Sequence, residues 1–153
     1  MGKFFEELTA ESAFETAPRR VSNEDIRTFI QLTGDDNRLH TDDDFARSQG
    51  FEGRIAHGAL VVGIATGLAW STGILSDTTI AFRAIENWKF TQPVYPGDAI
   101  RLRGSVSERR AMPRLGAGLV RFDLEVVNQK DVVVSNGSLR MLMRSKDTKE
   151  KRA

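Results

Sequence analysis

The chain has 153 residues, of which 40% are hydrophobic and 28% charged, as expected for one globular domain with a sizeable core. Its net charge of +1 argues against nucleic-acid binding as a main function, and the absence of cysteine excludes disulfides and thiolate chemistry. The first ten residues carry two glutamates and lack the basic and then apolar pattern of a secretory signal, which favours a cytoplasmic protein.

The N-terminal part is predicted to contain a short strand and a helix. Residues 1–13 are expected to form a loosely ordered extension, followed by a strand over residues 14–21. Ser22 predicts the N-cap of the helix because Asp25 stands at the capping-box position. Gly34 predicts the end of the helix, since glycine readily adopts the left-handed C-terminal conformation.

Acidic residues crowd the next segment. Residues 35–40 are predicted to form a loop, and Thr41 to cap a second, short helix. The aspartates at 42–44 fit the first turn of that helix, where negative charge is favourable. Because the acids and the two histidines show no His-x-x-x-His or similar ligand spacing, we predict no metal site. No glycine loop for a phosphate and no Gly-x-Ser-x-Gly elbow is present in the sequence.

Residues 55–75 are nearly free of charge and about long enough to cross a membrane, for which roughly 20 residues suffice. We interpret them as a core helix beginning at His57, because they include several glycines and hydroxyl residues and no basic flank fixes an orientation. A helix that is apolar on all sides is expected to be buried all round. Gly63 and Gly67 lie one turn apart, so a neighbouring backbone could approach that face closely.

The hydrophobic period then changes from that of a helix to that of a strand. Residues 80–90 predict one strand, and three alternating runs predict an antiparallel meander, at residues 100–107, 120–127 and 139–144. Asn136 and Gly137 predict a turn or a bulge in the last strand.

Helices followed by a meander predict an α+β fold, a single hot-dog domain whose antiparallel sheet wraps around the long central helix. This domain is expected to span residues 14–144, and the charged tail at 145–153 to be disordered. Edge strands of such a sheet usually pair with a second copy, so we expect a homodimer, with a higher oligomer as an extension.

Asp35 and His40 form the first candidate site. In a helix, positions five apart lie about 140° apart around the axis, whereas a loop can bring both side chains to one water. A carboxylate and an imidazole that share a water can act as general base and general acid. The alternative, equally good on spacing alone, makes Asp35 a turn residue and His40 a surface residue. Asn37 either bonds its own backbone or orients the pair.

His57 and Gly58 open the central helix and form the second candidate site. Unpaired N–H groups and partial positive charge at a helix N-terminus can polarise a thioester carbonyl and stabilise an enolate. Alternatively, Gly58 permits close packing and His57 is a partly buried, hydrogen-bonded residue, which is the favoured reading for His57. Thr66, two turns into the helix, either bonds a backbone carbonyl or reaches the acid–base pair.

These segments resemble the MaoC-like dehydratases, which include the (R)-specific enoyl-CoA hydratases. The family motif, roughly Gly-Asp-x-Asn-Pro-Leu-His, is similar to residues 34–40, and the family's His-Gly matches His57 and Gly58. A third motif, an aromatic followed by x-x-Pro-Val-x-x-Gly-Asp, matches residues 90–98. The resemblance covers about residues 14–144 and departs from the family at Arg38, which replaces a proline.

The resemblance implies a dimeric enzyme that acts on an acyl thioester of fatty acid metabolism, carried by CoA or an acyl carrier protein, with no metal or redox cofactor. Asp35 and His40 would activate water for attack at C3 and protonate C2, or run the reverse. The Gly58 amide would bind the oxyanion, and Thr66 matches a small hydroxyl residue of the hydratases. Arg38 would leave the loop less stiff than proline does, or meet a substrate phosphate or carboxylate.

The sequence therefore leaves three hypotheses for the function. The leading one is a reversible (R)-3-hydroxyacyl thioester dehydratase, or enoyl thioester hydratase. The second is a hot-dog thioesterase that hydrolyses the same thioester. The third is a non-catalytic subunit that binds acyl thioesters, which only the replacement of proline by Arg38 favours.

Overall fold

The computed structural model describes residues 2–146, so residues 147–153 of the expected tail lie outside the described residues. The described chain forms four α-helices: α1 (Asn23–Thr33), α2 (Arg38–Thr41), α3 (Asp43–Ser48) and α4 (Gly58–Ser71). Its six strands are β1 (Ala13–Glu15), β2 (Arg19–Arg20), β3 (Thr79–Phe90), β4 (Ala99–Met112), β5 (Ala117–Val127) and β6 (Val133–Arg144).

The strands form one antiparallel sheet in the order β1-β4-β5-β6-β3, and β2 pairs with the start of β4. Alternate residues of the long strands point inward, as in β5, where Val120, Phe122 and Leu124 are buried. They pack in one core with Ala65 and Leu68 of α4. A sheet packed against a long central helix confirms the predicted α+β, hot-dog architecture.

The N-terminal segment differs from the prediction in two ways. Residue 1 lies outside the described residues, and residues 2–13 are not loose, since Phe5 and Leu8 are buried in the core. The first strand is split into β1 and β2, on either side of Pro18, which has no N–H to donate to a strand. Burial of two large apolar side chains explains the order of this segment.

The capping signals of α1 are confirmed, whereas those of the next helix are shifted. Ser22 accepts a hydrogen bond from the Asp25 N–H at 3.0 Å, and Gly34 ends α1 with a φ of 75°. Residues 38–41 form a helical turn in the predicted loop. The cap of α3 is Asp42, whose Oδ1 accepts from the Phe45 N–H at 2.9 Å, and not Thr41. Asp42 is an equally good cap one residue further along.

Helix α4 runs over the predicted region, but it is not buried all round. Its inner face is buried against the sheet, while Ala59, Gly63, Gly67 and Trp70 are exposed. The sheet covers one side of the helix, so within a single chain the other side meets solvent. No helix among the described residues is long and apolar enough to cross a membrane.

Asn136 and Gly137 stay inside β6 and form no turn. The irregularity of register lies across from them in β3, where Asn87 adopts a positive φ of 51° between Glu86 and Lys89. The bulge that the sequence predicted in the last strand therefore lies in β3, the strand that pairs with β6 at this point.

Candidate active site

The loop between α1 and α2 carries the first candidate residues. After α1 ends at Gly34, the Asp35 N–H donates to Thr33 Oγ1 at 3.2 Å. The Asn37 side chain then accepts from the Leu39 N–H at 2.9 Å and caps α2. Asn37 thus shapes the local backbone, and His40 lies in the helical turn that it starts.

Asp35, His40 and His57 converge at one place. One ligand atom from each side chain lies within 4.8 Å of those of the other two. At distances up to this value, a single water can bridge two of these side chains. Asp35 is exposed, His40 half-buried and His57 2% exposed, so the cluster runs from the surface into the core.

Two backbone carbonyls orient the imidazole rings. His40 Nδ1 lies 2.7 Å from the Ile55 carbonyl oxygen, and His57 Nε2 lies 2.9 Å from that of Asp35. A carbonyl oxygen only accepts, so each of these nitrogens carries the proton. The other nitrogen of the neutral His40 ring, Nε2, therefore has a free lone pair that can accept a proton from water.

Local contacts hold His40 against the start of α4. Its ring stacks on that of His57 with centroids 3.7 Å apart, and the centroid of the Phe29 ring of α1 lies 4.8 Å from that of His57. The Ile55 N–H also donates to the Leu39 carbonyl at 3.0 Å. These contacts fix α2 to the segment that precedes α4.

Burial lowers the pKa of His40 below its usual value of 6.5, and the neighbouring His57 lowers this pKa further. The hydrogen bond to the Ile55 carbonyl and the charge of Asp35 act in the opposite direction without reversing the shift. At neutral pH the His40 imidazole is therefore neutral and able to accept a proton.

A cavity of about 460 Å³ opens beside His40 and Gly58. Its other walls are mainly apolar and come from the segment before α4, from the end of β3 and from β6, among them Phe51, Ile55, Phe90 and Val134. A cavity of this size and lining suits a small apolar group next to a proton-transferring residue.

Gly58 places the N-terminus of α4 at this cavity. Its N–H has no hydrogen-bond partner among residues 2–146, as expected for the first residue of a helix. A Cβ at position 58 would lie 2.9 Å from the Phe90 ring, closer than carbon atoms normally pack. A side chain at position 58 would therefore displace the Phe90 ring, whereas glycine leaves room at the amide, which can act as an oxyanion donor.

The family model of the MaoC like domain matches residues 5–142. The chain belongs to this family. Among curated relatives, protein MaoC of Klebsiella aerogenes is 35% identical over 101 residues, which are 66% of this chain and 30% of that protein. The mitochondrial 3-hydroxyacyl-(acyl-carrier-protein) dehydratase of Arabidopsis thaliana is 29% identical over 134 residues, 87% of this chain and 76% of that enzyme.

Solved structures of MaoC-like proteins share the fold over nearly the whole chain. A monoamine oxidase regulatory protein from Archaeoglobus superimposes with a TM-score of 0.87 at 36% identity and covers 95% of this chain and 96% of its own. The R-hydratase PhaJ1 from Pseudomonas aeruginosa superimposes with a TM-score of 0.67 at 25% identity, over 94% and 86% of the two chains. MaoC-like relatives therefore include hydratases and dehydratases as well as a protein named as regulatory.

Other predicted site residues have different places in this MaoC-like domain. Thr66 donates to the Gly63 carbonyl at 2.7 Å and is not among the residues that line the cavity of His40. The sequence did not single out Ile55, whose backbone carbonyl orients His40. Every residue type has such a carbonyl, so the identity of residue 55 does not indicate this contact. Phe90 was visible only as the aromatic residue of the third motif.

The same three side chains, Asp35, His40 and His57, also form the group in the described chain that could hold a metal ion. Ligand spacing along the sequence did not reveal this group, because a loop and a helix N-terminus bring together residues 17 and 22 positions apart. Each histidine already has one ring nitrogen on a backbone carbonyl. The absence of a metal stays a prediction.

Proposed function

We propose that the protein is a reversible hydro-lyase that adds water to an enoyl thioester to give an (R)-3-hydroxyacyl thioester. The observation that carries the proposal is the approach of the Asp35 carboxylate and a His40 nitrogen within 4.8 Å of each other, beside a mainly apolar cavity. Membership of the MaoC-like family, with an R-hydratase and a 3-hydroxyacyl dehydratase among its similar proteins, supports this reaction class.

In the hydration direction, a water bonded to both Asp35 and His40 Nε2 attacks C3 of the enoyl group. As its oxygen bonds to C3, a water O–H bond breaks and the proton passes to the acid–base pair. The C2=C3 π electrons move toward the thioester oxygen, and the pair then returns a proton to C2. Water is thus added across the double bond, and the site regains its starting protonation state. Dehydration reverses these steps.

The negative charge that develops on the thioester oxygen requires a donor on the other side of the substrate. The unpartnered Gly58 N–H at the start of α4 supplies it, and the partial positive charge of the helix N-terminus adds to its effect. These proton transfers and this donor need no metal or redox cofactor.

The reaction is tested by incubating the protein with a short trans-2-enoyl-CoA and following the loss of the conjugated absorbance. We expect loss of absorbance, formation of one enantiomer, (R)-3-hydroxyacyl-CoA, and no release of free thiol. Release of thiol would indicate a thioesterase, and tight binding without turnover would indicate a non-catalytic subunit. Parallel measurements with the enoyl group on CoA and on an acyl carrier protein distinguish the two carriers.

We also propose that the protein forms a homodimer through the edge of β3. This strand ends the sheet in the described residues, and its apolar side chains Ile80, Phe82 and Ile85 are between 43% and 49% exposed. An uncovered edge strand with apolar side chains favours pairing with a second copy of the same strand. The end of the same strand carries Phe90, which lines the cavity, so dimer formation would also shape the site.

A further inference from the structure

His57 is almost completely buried, yet it contacts both residues of the proposed acid–base pair. Its Nε2 lies 2.9 Å from the backbone carbonyl of Asp35, and its ring stacks on His40 at 3.7 Å. It is not among the residues that line the cavity, and it is 2% exposed. A substrate in that cavity therefore meets His40 and not His57.

We infer that His57 is a positioning residue, which fixes Asp35 and His40 relative to each other without contacting the substrate. The inference rests on the proposed hydro-lyase function for its catalytic consequences. It extends the favoured interpretation of His57 as a buried, hydrogen-bonded residue, and it differs from the alternative of direct substrate contact.

The hydrogen bond from His57 Nε2 to the Asp35 carbonyl fixes the position of the loop between α1 and α2. It joins residues 22 positions apart, from the start of α4 to the loop after α1. Within residues 2–146, the hydrogen bond that the Asp35 side chain makes is a marginal local one, from the Asn37 N–H at 3.4 Å. Loss of the His57 donor would therefore let the Asp35 backbone move, and displacement by about 1 Å can lower a rate about 100-fold.

A purely structural role does not explain the choice of histidine. His57 Nδ1 is buried and has no hydrogen-bond partner within the described chain. An unpaired buried polar atom lowers stability, and a phenylalanine would fill a similar space without that loss. The polar ring is therefore retained for the bond that its other nitrogen makes to Asp35.

His57 also acts on the charge of His40. The titratable groups that influence the pKa of His40 are Asp35, which raises it, and His57, which lowers it together with burial. The hydrogen bond to the Ile55 carbonyl raises it, and Phe29, which also contacts the His57 ring, is apolar. Removal of the His57 imidazole should therefore raise the pKa of His40.

The test compares His57→Phe, which keeps a stacking ring but has no donor, with His57→Gln, whose amide can still donate to the Asp35 carbonyl. We expect His57→Phe to lower kcat about 10- to 100-fold with KM within about twofold, and His57→Gln to recover part of the loss. In both variants the acid limb of kcat/KM should move to higher pH. Phe29→Leu, which alters packing on the same ring, serves as the matched control and should leave the acid limb in place.

Two outcomes would overturn the inference: wild-type kcat in folded His57→Phe, or an unmoved acid limb in both variants. His57→Gln carries the test if His57→Phe does not fold. The chain has two histidines, so either variant leaves His40 as the single imidazole signal in an NMR titration. If the wild type hydrated no enoyl thioester, the proposed function would fail, while an unchanged His40 titration in the variants would still separately refute the role of His57.

Discussion

Substitution of Gly58 by alanine tests the cavity and the helix N-terminus together. The added Cβ would lie 2.9 Å from the Cε1 and Cζ atoms of Phe90, whereas carbon atoms pack at about 3.5–4.0 Å. The Phe90 ring is 56% exposed and can move, so we expect the free energy of unfolding to change by no more than about 1 kcal/mol. The ring and the new methyl group would crowd the amide that we propose as the oxyanion donor, and we expect kcat/KM to fall about 10- to 100-fold.

Gly67→Ala provides the matched control, because it makes the same change in the same helix where a Cβ meets nothing within 4 Å. It should raise the free energy of unfolding by about 0.5–1 kcal/mol through helix propensity and leave kcat/KM unchanged. The assays are enoyl-CoA hydration and chemical denaturation of both variants. Wild-type kcat/KM in Gly58→Ala would refute the assignment of this amide to the reacting carbonyl.

Three further predictions concern pH, the loop and the sheet edge. The pKa of His40 in the folded chain lies below 6.5, so as the pH falls the unfolded chain binds a proton at this histidine before the folded chain does. Chemical denaturation should therefore show that the free energy of unfolding decreases below about pH 6.5, and that this decrease is smaller in His40→Gln. Arg38→Pro should keep kcat/KM within about threefold, since the first position of a helix accepts proline; a loss above tenfold would contradict this. Ile85→Lys should convert dimer to monomer in light scattering, whereas Leu32→Lys, at an exposed position on α1, should not.

The replacement of the family proline by Arg38 has a structural explanation. The Arg38 guanidinium pairs with Asp42 at 2.7 Å and lies 4.4 Å above the Phe45 ring. These contacts, with the cap from Asn37, hold the same turn that proline would stiffen. The side chain is directed to its own helical neighbours, which accounts for a well-formed turn without the proline and weakens the case for a non-catalytic protein.

Local signals made much of the fold predictable. The Ser22 and Asp25 capping box and Gly34 act within a few residues, and the alternation along β5 directly reflects a sheet with one buried face. Asp35 and His40 could be singled out as candidates because both lie in one short segment and have side chains capable of acid–base chemistry.

Features that depend on distant contacts could not be predicted in this way. The carbonyl of Ile55 orients His40 through the backbone, which any residue type offers. The exposed face of α4, including Trp70, depends on which side the sheet covers, and an apolar sequence does not encode that. Phe5 is ordered because it reaches the core that later strands build, a contact invisible in the first thirteen residues.

The proposed acid–base chemistry depends most directly on the Asp35 carboxylate. Asp35→Asn removes the carboxylate charge, and Asp36→Asn removes the charge of the exposed neighbouring residue as a control. We expect Asp35→Asn to lower the rate of enoyl-CoA hydration by about 100-fold or more, and Asp36→Asn to keep it within about twofold. Equal rates for wild type and folded Asp35→Asn would show that the Asp35 carboxylate takes no part in the reaction.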